Sequence, residues 1–138
     1  MPARDIYHNI VKGALEKNGW TITHDPFPLQ YGVRKLYADL GAEKLFAAES
    51  GGRKIVVEVK SFGKPSEVED LQEAIGAYSM YRNVLSDTHP NWELYMAIPQ
   101  DAYQGIFSEP LGQMMVERED VRLVIFDPDE GALTRWIP

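Results

Sequence analysis

Glu58, Val59 and Lys60 close the most β-branched run of the chain, Lys54–Lys60. Side chains two apart on a strand share a face, so Glu58 and Lys60 project together while Val59 enters the opposite layer. Asp39, within Leu36–Leu40, stands on the face opposite Leu36, Ala38 and Leu40. If these two strands lie side by side, two carboxylates and one ammonium converge. Asp39 and Glu58 would offer hard anionic oxygens, and the Val59 backbone carbonyl a neutral one, a donor set suited to Mg²⁺ or Mn²⁺. Such an ion polarises a phosphodiester and lowers the pKa of a bound water. Lys60 could hold that water or offset charge in the transition state. The plainer alternative is a solvated strand end with Lys60 paired to its neighbours. Strands so rich in Val and Ile are usually interior, where ionised groups need a partner or a metal, and this favours the site.

The elements that must position these residues can be read from periodicity. Arg4–Asn18 carries Ile6, Ile10, Val11, Ala14 and Leu15 at helical spacing, with Asn18-Gly19 as its stop. Trp20–His24 alternates as a strand, and Asp25-Pro26-Phe27-Pro28 is loop punctuation. Leu36–Leu40 reads as a strand, and Leu45–Ser50 as extended, although Gly41–Ala48 could hold a helical turn. Gly51-Gly52 is a tight turn into Lys54–Lys60. After a loop, Ser66 and Glu69 form a capping box for a helix to about Leu85, with Val68, Leu71, Ile75 and Tyr78 as its apolar stripe. Glu93–Ile98 is a strand, Asp101–Glu117 a helix broken near Pro110, Val121–Phe126 a strand and Leu133–Ile137 a last short strand. The order is a helix, three or four strands, then α, β, α, β, β. It predicts an α/β fold, a mixed β-sheet flanked by helices on both faces.

The 138 residues suit one domain, 1–138, and 44% hydrophobic content is enough for a core. There is no cysteine, which excludes disulfides, thiolate metal sites and cysteine nucleophiles. No apolar run reaches membrane-spanning length. Met1–Asp5 lacks the basic and apolar regions of a signal peptide, so a cytoplasmic location is expected. The net charge of −7 argues against non-specific DNA coating and for work within a complex, since a partner or a bound cation can supply positive charge.

Other polar residues carry weaker signals. Asp5 and His8 share a face of the first helix. Asp5 could support the metal site as an acid, although it also suits a helix N-terminus, and His8 could support it by hydrogen-bonding a phosphate or a carboxylate, although it also suits a structural role. Asp25 is accounted for by an Asp-Pro turn. Glu49 falls opposite Lys54 across a short hairpin, where an ion pair would suffice. Glu67, Glu69, Asp70 and Glu73 read as a solvated helix face. The tail with Trp136 and Ile137 could add an edge strand, pack on a partner or pair with a second copy to form a homo-oligomer.

At Asp39 and Glu58-Val59-Lys60 the chain resembles the PD-(D/E)xK nuclease superfamily, whose shared core is an αβββαβ unit. Within it, the sequence is similar to the XisH family, the fdxN-element excision controlling factors of cyanobacteria. The resemblance is carried by Asp5-Ile6-Tyr7-His8, Gly19-Trp20-Thr21-Ile22-Thr23-His24-Asp25-Pro26 and Asp39-Leu40-Gly41-Ala42-Glu43-Lys44. It continues through Ala47-Ala48-Glu49, Glu58-Val59-Lys60-Ser61-Phe62, Tyr78 with Tyr81-Arg82, and Leu94-Tyr95-Met96-Ala97-Ile98-Pro99. The resemblance implies a restriction-endonuclease-like fold. It also implies support of programmed DNA rearrangement in heterocyst differentiation, beside a site-specific recombinase and a second small protein, XisI. Two activities fit it: a Mg²⁺-dependent DNA endonuclease, or a catalytically inactive accessory protein of the same fold that binds DNA or an XisI-like partner. Relatives of this fold often carry Gln-x-x-x-Tyr on the helix after the Glu-x-Lys strand. If Tyr81 is that tyrosine, a supporting residue of the site, the glutamine position holds Ala77. Gln72 lies on a different face of the helix and does not replace it.

Overall fold

The computed structural model describes residues 3–35 and 45–138, the first four of them as backbone only. The expected strand Leu36–Leu40, with Asp39, lies outside the described residues. Helix α1 spans Ala3–Lys17 and buries Val11, Ala14 and Leu15. It ends where the Asn18 side chain donates to the Ala14 carbonyl at 2.8 Å and Gly19 turns the chain at φ 89°. Strand β1 is Thr21–His24. A small hairpin follows, β2 (Gln30–Tyr31) against β3 (Arg34–Lys35). Sequence periodicity does not reveal it because each strand has only two residues. Its signal was Gly32, at φ 60°, opening a two-residue connection.

Strand β4 (Phe46–Ser50) and β5 (Arg53–Val59) form the expected hairpin, and Gly51 and Gly52 both take positive φ in its turn. Helix α2 runs from Glu67 to Thr88, one turn further than expected, and crosses to β6 (Glu93–Pro99). Ser66 caps it by accepting from the Glu69 amide at 3.2 Å. The segment before β7 is less regular than expected. Helix α3 (Gln100–Gln104) gives way to a 3-10 turn at Ile106–Ser108, and α4 (Pro110–Arg118) then begins. The break therefore precedes Pro110, which opens α4 because a first-turn residue needs no amide proton. Strands β7 (Leu123–Asp127) and β8 (Ala132–Ile137) complete the order.

The six-stranded sheet runs β1-β4-β5-β6-β7-β8. Its middle, β5-β6-β7, is parallel, and the flanking pairs are antiparallel. This is the mixed sheet flanked by helices that the element order implied. Alternation sorts β5 into two layers. Val56 packs with Leu71, Tyr78 and Tyr81 of α2, whereas Ile55, Val57 and Val59 pack with Val11 and Leu15 of α1. Two expectations about α2 need correction. Val68 is exposed rather than part of the buried stripe, because its position on the helix points past the sheet. Asp70 is not a solvated acid: it is buried, and its Oδ2 accepts from the Lys64 amide at 3.2 Å, holding the loop that follows β5.

Candidate functional site

β5 is sandwiched between β4 and β6, which makes its C-terminal end interior. Glu58 lies between Val57 and Val59 of the α1 layer, so it faces α2 and is only 1% exposed. The ladder continues one residue further, since the Lys60 amide donates to the Ala97 carbonyl at 2.9 Å. Lys60 returns to the same face, with its Nζ 3.8 Å from Glu58 Oε2. Glu58 and Lys60 thus project together, as their spacing required, and Val59 enters the opposite layer. Tyr81 is wholly buried in the α2 layer, on the same side of the sheet as Glu58. Ala77 packs beside that core, and Gln72 is exposed on another face of the helix.

The loop leaving this end is conformationally costly. Phe62, two residues beyond Lys60, adopts φ 54° without being a glycine, and its ring packs edge-on against Phe107 with centroids 5.1 Å apart. A bulky residue in the left-handed region costs on the order of 1–2 kcal/mol, and such strain tends to sit at working sites. Phe107 packs against the Phe62 ring, and Asp70 ties the same loop two residues further on, at Lys64. Neither contact was legible in the sequence.

His8 belongs to the other layer. Its ring packs edge-on against Phe46, and its Nε2 lies 3.0 Å from Asp25 Oδ1. Lys12 donates to the second oxygen of the same carboxylate. Asp25 is therefore more than a turn residue, because it ties α1 to the loop after β1. Partial burial pushes the Asp25 carboxyl up, but hydrogen bonds from Lys12 and His8 and their charges outweigh this and hold it below its ordinary 3.8. A carboxylate with a depressed folded pKa stabilises at pH values above its unfolded value and loses that contribution as pH falls through the folded one. Asp25→Asn should lower the urea midpoint at pH 7 by an amount worth under about 1 kcal/mol. The difference should shrink as pH falls below the ordinary carboxyl value of 3.8 and disappear once the folded carboxyl is protonated. An equal deficit at pH 7 and after protonation would show that charge is not what the carboxylate contributes.

Glu49 pairs with Lys54 in register, as expected, but no ion pair closes between them. The Lys54 ammonium instead lies 5.5 Å from the Trp92 ring centroid.

The fit of a divalent ion can be judged from the donors present. Among the described residues no three His, Asp or Glu side chains are grouped to hold a metal. Glu58 and the Val59 carbonyl supply part of a hard-ion shell, which calls for six or more oxygens. They do not make a cation site by themselves, and Asp39 and the Asp5 side chain lie outside the described residues. Among the described residues no helix is long and apolar enough to cross a membrane.

Comparisons with known proteins agree over nearly the whole length. The family model described as XisH protein matches residues 1–134. The crystal structure of an XisH family protein from Nostoc punctiforme PCC 73102 superimposes with a TM-score of 0.88 at 36% identity, covering 97% of this chain and 100% of that one. An fdxN element excision controlling factor protein from Anabaena variabilis gives 0.89 at 34% identity, covering 98% and 100%. No curated protein matches. A match across this much of the sequence, at this identity and with this agreement of backbones, places the chain in the XisH family.

Proposed function

We propose that this protein is a DNA excision controlling factor that works as an accessory protein. On this reading it uses a restriction-endonuclease-like fold to bind DNA or an XisI-like partner, while a separate site-specific recombinase cuts and rejoins the strands. The observation that carries this reading is the state of Glu58. Its carboxylate is buried under α2 and faced by the Lys60 ammonium. A buried pair of this kind can fix the geometry of a sheet end without catalysis. Similarity to the fdxN element excision controlling factor of Anabaena variabilis supports the excision role.

A second reading is favoured by a different observation. Glu58 and Lys60 share one face at the end of a central strand, beside strained Phe62, which is the arrangement a PD-(D/E)xK nuclease uses. Asp39, Glu58 and the Val59 carbonyl would then hold Mg²⁺ or Mn²⁺, and Lys60 would hold charge at the phosphate.

One experiment separates the two. Thermal melts with and without Mg²⁺ or Mn²⁺ are run on wild type and Glu58→Gln, followed by incubation with duplex and branched DNA, with and without the co-purified XisI-like partner. The accessory reading expects DNA to remain intact. It also expects the metal to shift both melts alike and DNA or partner to be retained. A metal-induced rise in Tm confined to wild type, with cleavage that falls roughly 10²–10³-fold in Lys60→Ala, would overturn it in favour of the nuclease.

A further inference from the structure

A cavity of about 240 Å³ opens at the other end of the parallel strands, between the C-terminal half of α2 and the starts of β6 and β7. Tyr78, Arg82, Trp92, Asp120 and Arg122 line it. The chain carries a net charge of −7, yet four cations gather at this end: Arg53, Lys54, Arg82 and Arg122. Arg53 and Arg122 share one carboxylate, Glu93, at 3.2 Å and 3.7 Å. Lys54 lies over the Trp92 ring. Arg82 donates to the Glu119 backbone carbonyl, a neutral acceptor, and its guanidinium carbon is 5.8 Å from the Tyr78 ring centroid. Among the described residues no carboxylate pairs with it. Two guanidiniums, each with five N–H donors, therefore border a small polar cavity whose one lining carboxylate is that of Asp120.

The wall is held in place before any ligand arrives. The Tyr78 hydroxyl donates to the Leu94 carbonyl at 3.1 Å and accepts from the Arg122 amide at 3.0 Å. The Arg122 carbonyl accepts from the Met96 amide at 2.9 Å. These bonds fix the Tyr78 ring and the backbone from which Arg122 extends, so the wall behind the two guanidiniums is already in place.

We infer that this cavity binds the phosphate of a single nucleotide. The forked guanidiniums of Arg82 and Arg122 match phosphate oxygens, and Trp92 gives the base an aromatic wall. The volume lies below the roughly 300–1,000 Å³ of pockets for drug-sized ligands, so the cavity seats the phosphate and the base lies at its mouth, with no room for a length of strand. Asp120, at φ 53° on the rim, opposes the anion and limits its affinity. None of these residues belongs to the Glu58–Lys60 end, so the pocket stands whichever reading of that end holds.

The test is calorimetric titration in low salt with 5′-AMP, inorganic phosphate, and a short single-stranded oligonucleotide with and without a 5′-phosphate. AMP and the phosphorylated oligonucleotide should bind, and the unphosphorylated one at least tenfold more weakly. Arg82→Gln and Arg122→Gln should each weaken AMP binding by about tenfold or more. Asp120→Asn should tighten it several-fold, and Trp92→Leu should bring AMP down to the level of inorganic phosphate. Equal affinity for AMP and the phosphorylated end assigns a free nucleotide as the ligand, and a tenfold preference for the latter assigns a strand end. Oligonucleotide binding that ignores the 5′-phosphate, or arginine variants that bind like wild type, overturn the inference. Since Arg82→Gln also loosens the tie to Glu119, Asp120→Asn is the independent arm, and unchanged or weaker binding there overturns it as well.

Discussion

Lys60→Ala should destabilise the fold by about 2–3 kcal/mol, read as a lower urea midpoint at unchanged slope. The reason is the partner left behind. Removing the ammonium of a buried ion pair withdraws charge compensation from a desolvated carboxylate, typically at a cost of about 3–5 kcal/mol, and the loss falls at or below the bottom of that range here because the Lys60 side chain keeps 18% of its surface in water. The strand pattern alone would have Lys60→Ala fold normally. Near-complete burial of Glu58 is what changes the expectation. Glu58→Gln combined with Lys60→Met should recover most of the loss, because neither side chain then carries charge. A double variant that is stable yet fails to hold DNA or its partner would assign the pair to function. One as unstable as Lys60→Ala would sink the ion-pair account.

Gly112→Ala should cost about 3 kcal/mol, a shift of roughly 10 °C in Tm for a domain of this size. A Cβ at Gly112 would stand 2.1 Å from the Ile106 carbonyl oxygen and 2.8 Å from the Phe107 Cα. Both are backbone atoms of the 3-10 turn, which cannot swing aside as a flexible side chain could. Helix α4 would have to lift from the turn that also supports Phe107, and through it Phe62. Gly76→Ala is the matched control. Nothing lies within 4 Å of a Cβ there, and a mid-helix alanine should stabilise by up to about 1 kcal/mol. Equal stabilities for Gly112→Ala and wild type would mean that α4 is free to move away.

The contrast between these positions shows where sequence reading succeeds. The run Ile55-Val56-Val57, the Gly51-Gly52 turn and the Ser66 cap each announce themselves within a few residues, because strand, turn and cap preferences are local. The shared face of Glu58 and Lys60 follows from strand periodicity alone. Burial of Asp70, the tie between His8 and Asp25, and the close approach of Gly112 to Ile106 join segments that sequence does not set side by side. The cavity under β6 and β7 is the same kind of case. Arg82 lies on α2, Trp92 just before β6 and Arg122 just before β7, and only the parallel crossover brings them together.

The layout of the α1 layer also bears on how the protein assembles. Trp20, just after α1, stacks on Trp136 of β8 with ring centroids 5.7 Å apart, and Trp136 packs edge-on against Tyr95 of β6. Residues from opposite halves of the sequence thus seal a single apolar layer. That closure is a long-range contact, of the kind whose loop-closure cost slows folding. Until β8 is in place, Tyr95 lacks the cover that Trp136 gives it, so a nascent or clipped chain without β8 exposes more apolar surface, of the kind that chaperones and proteases recognise.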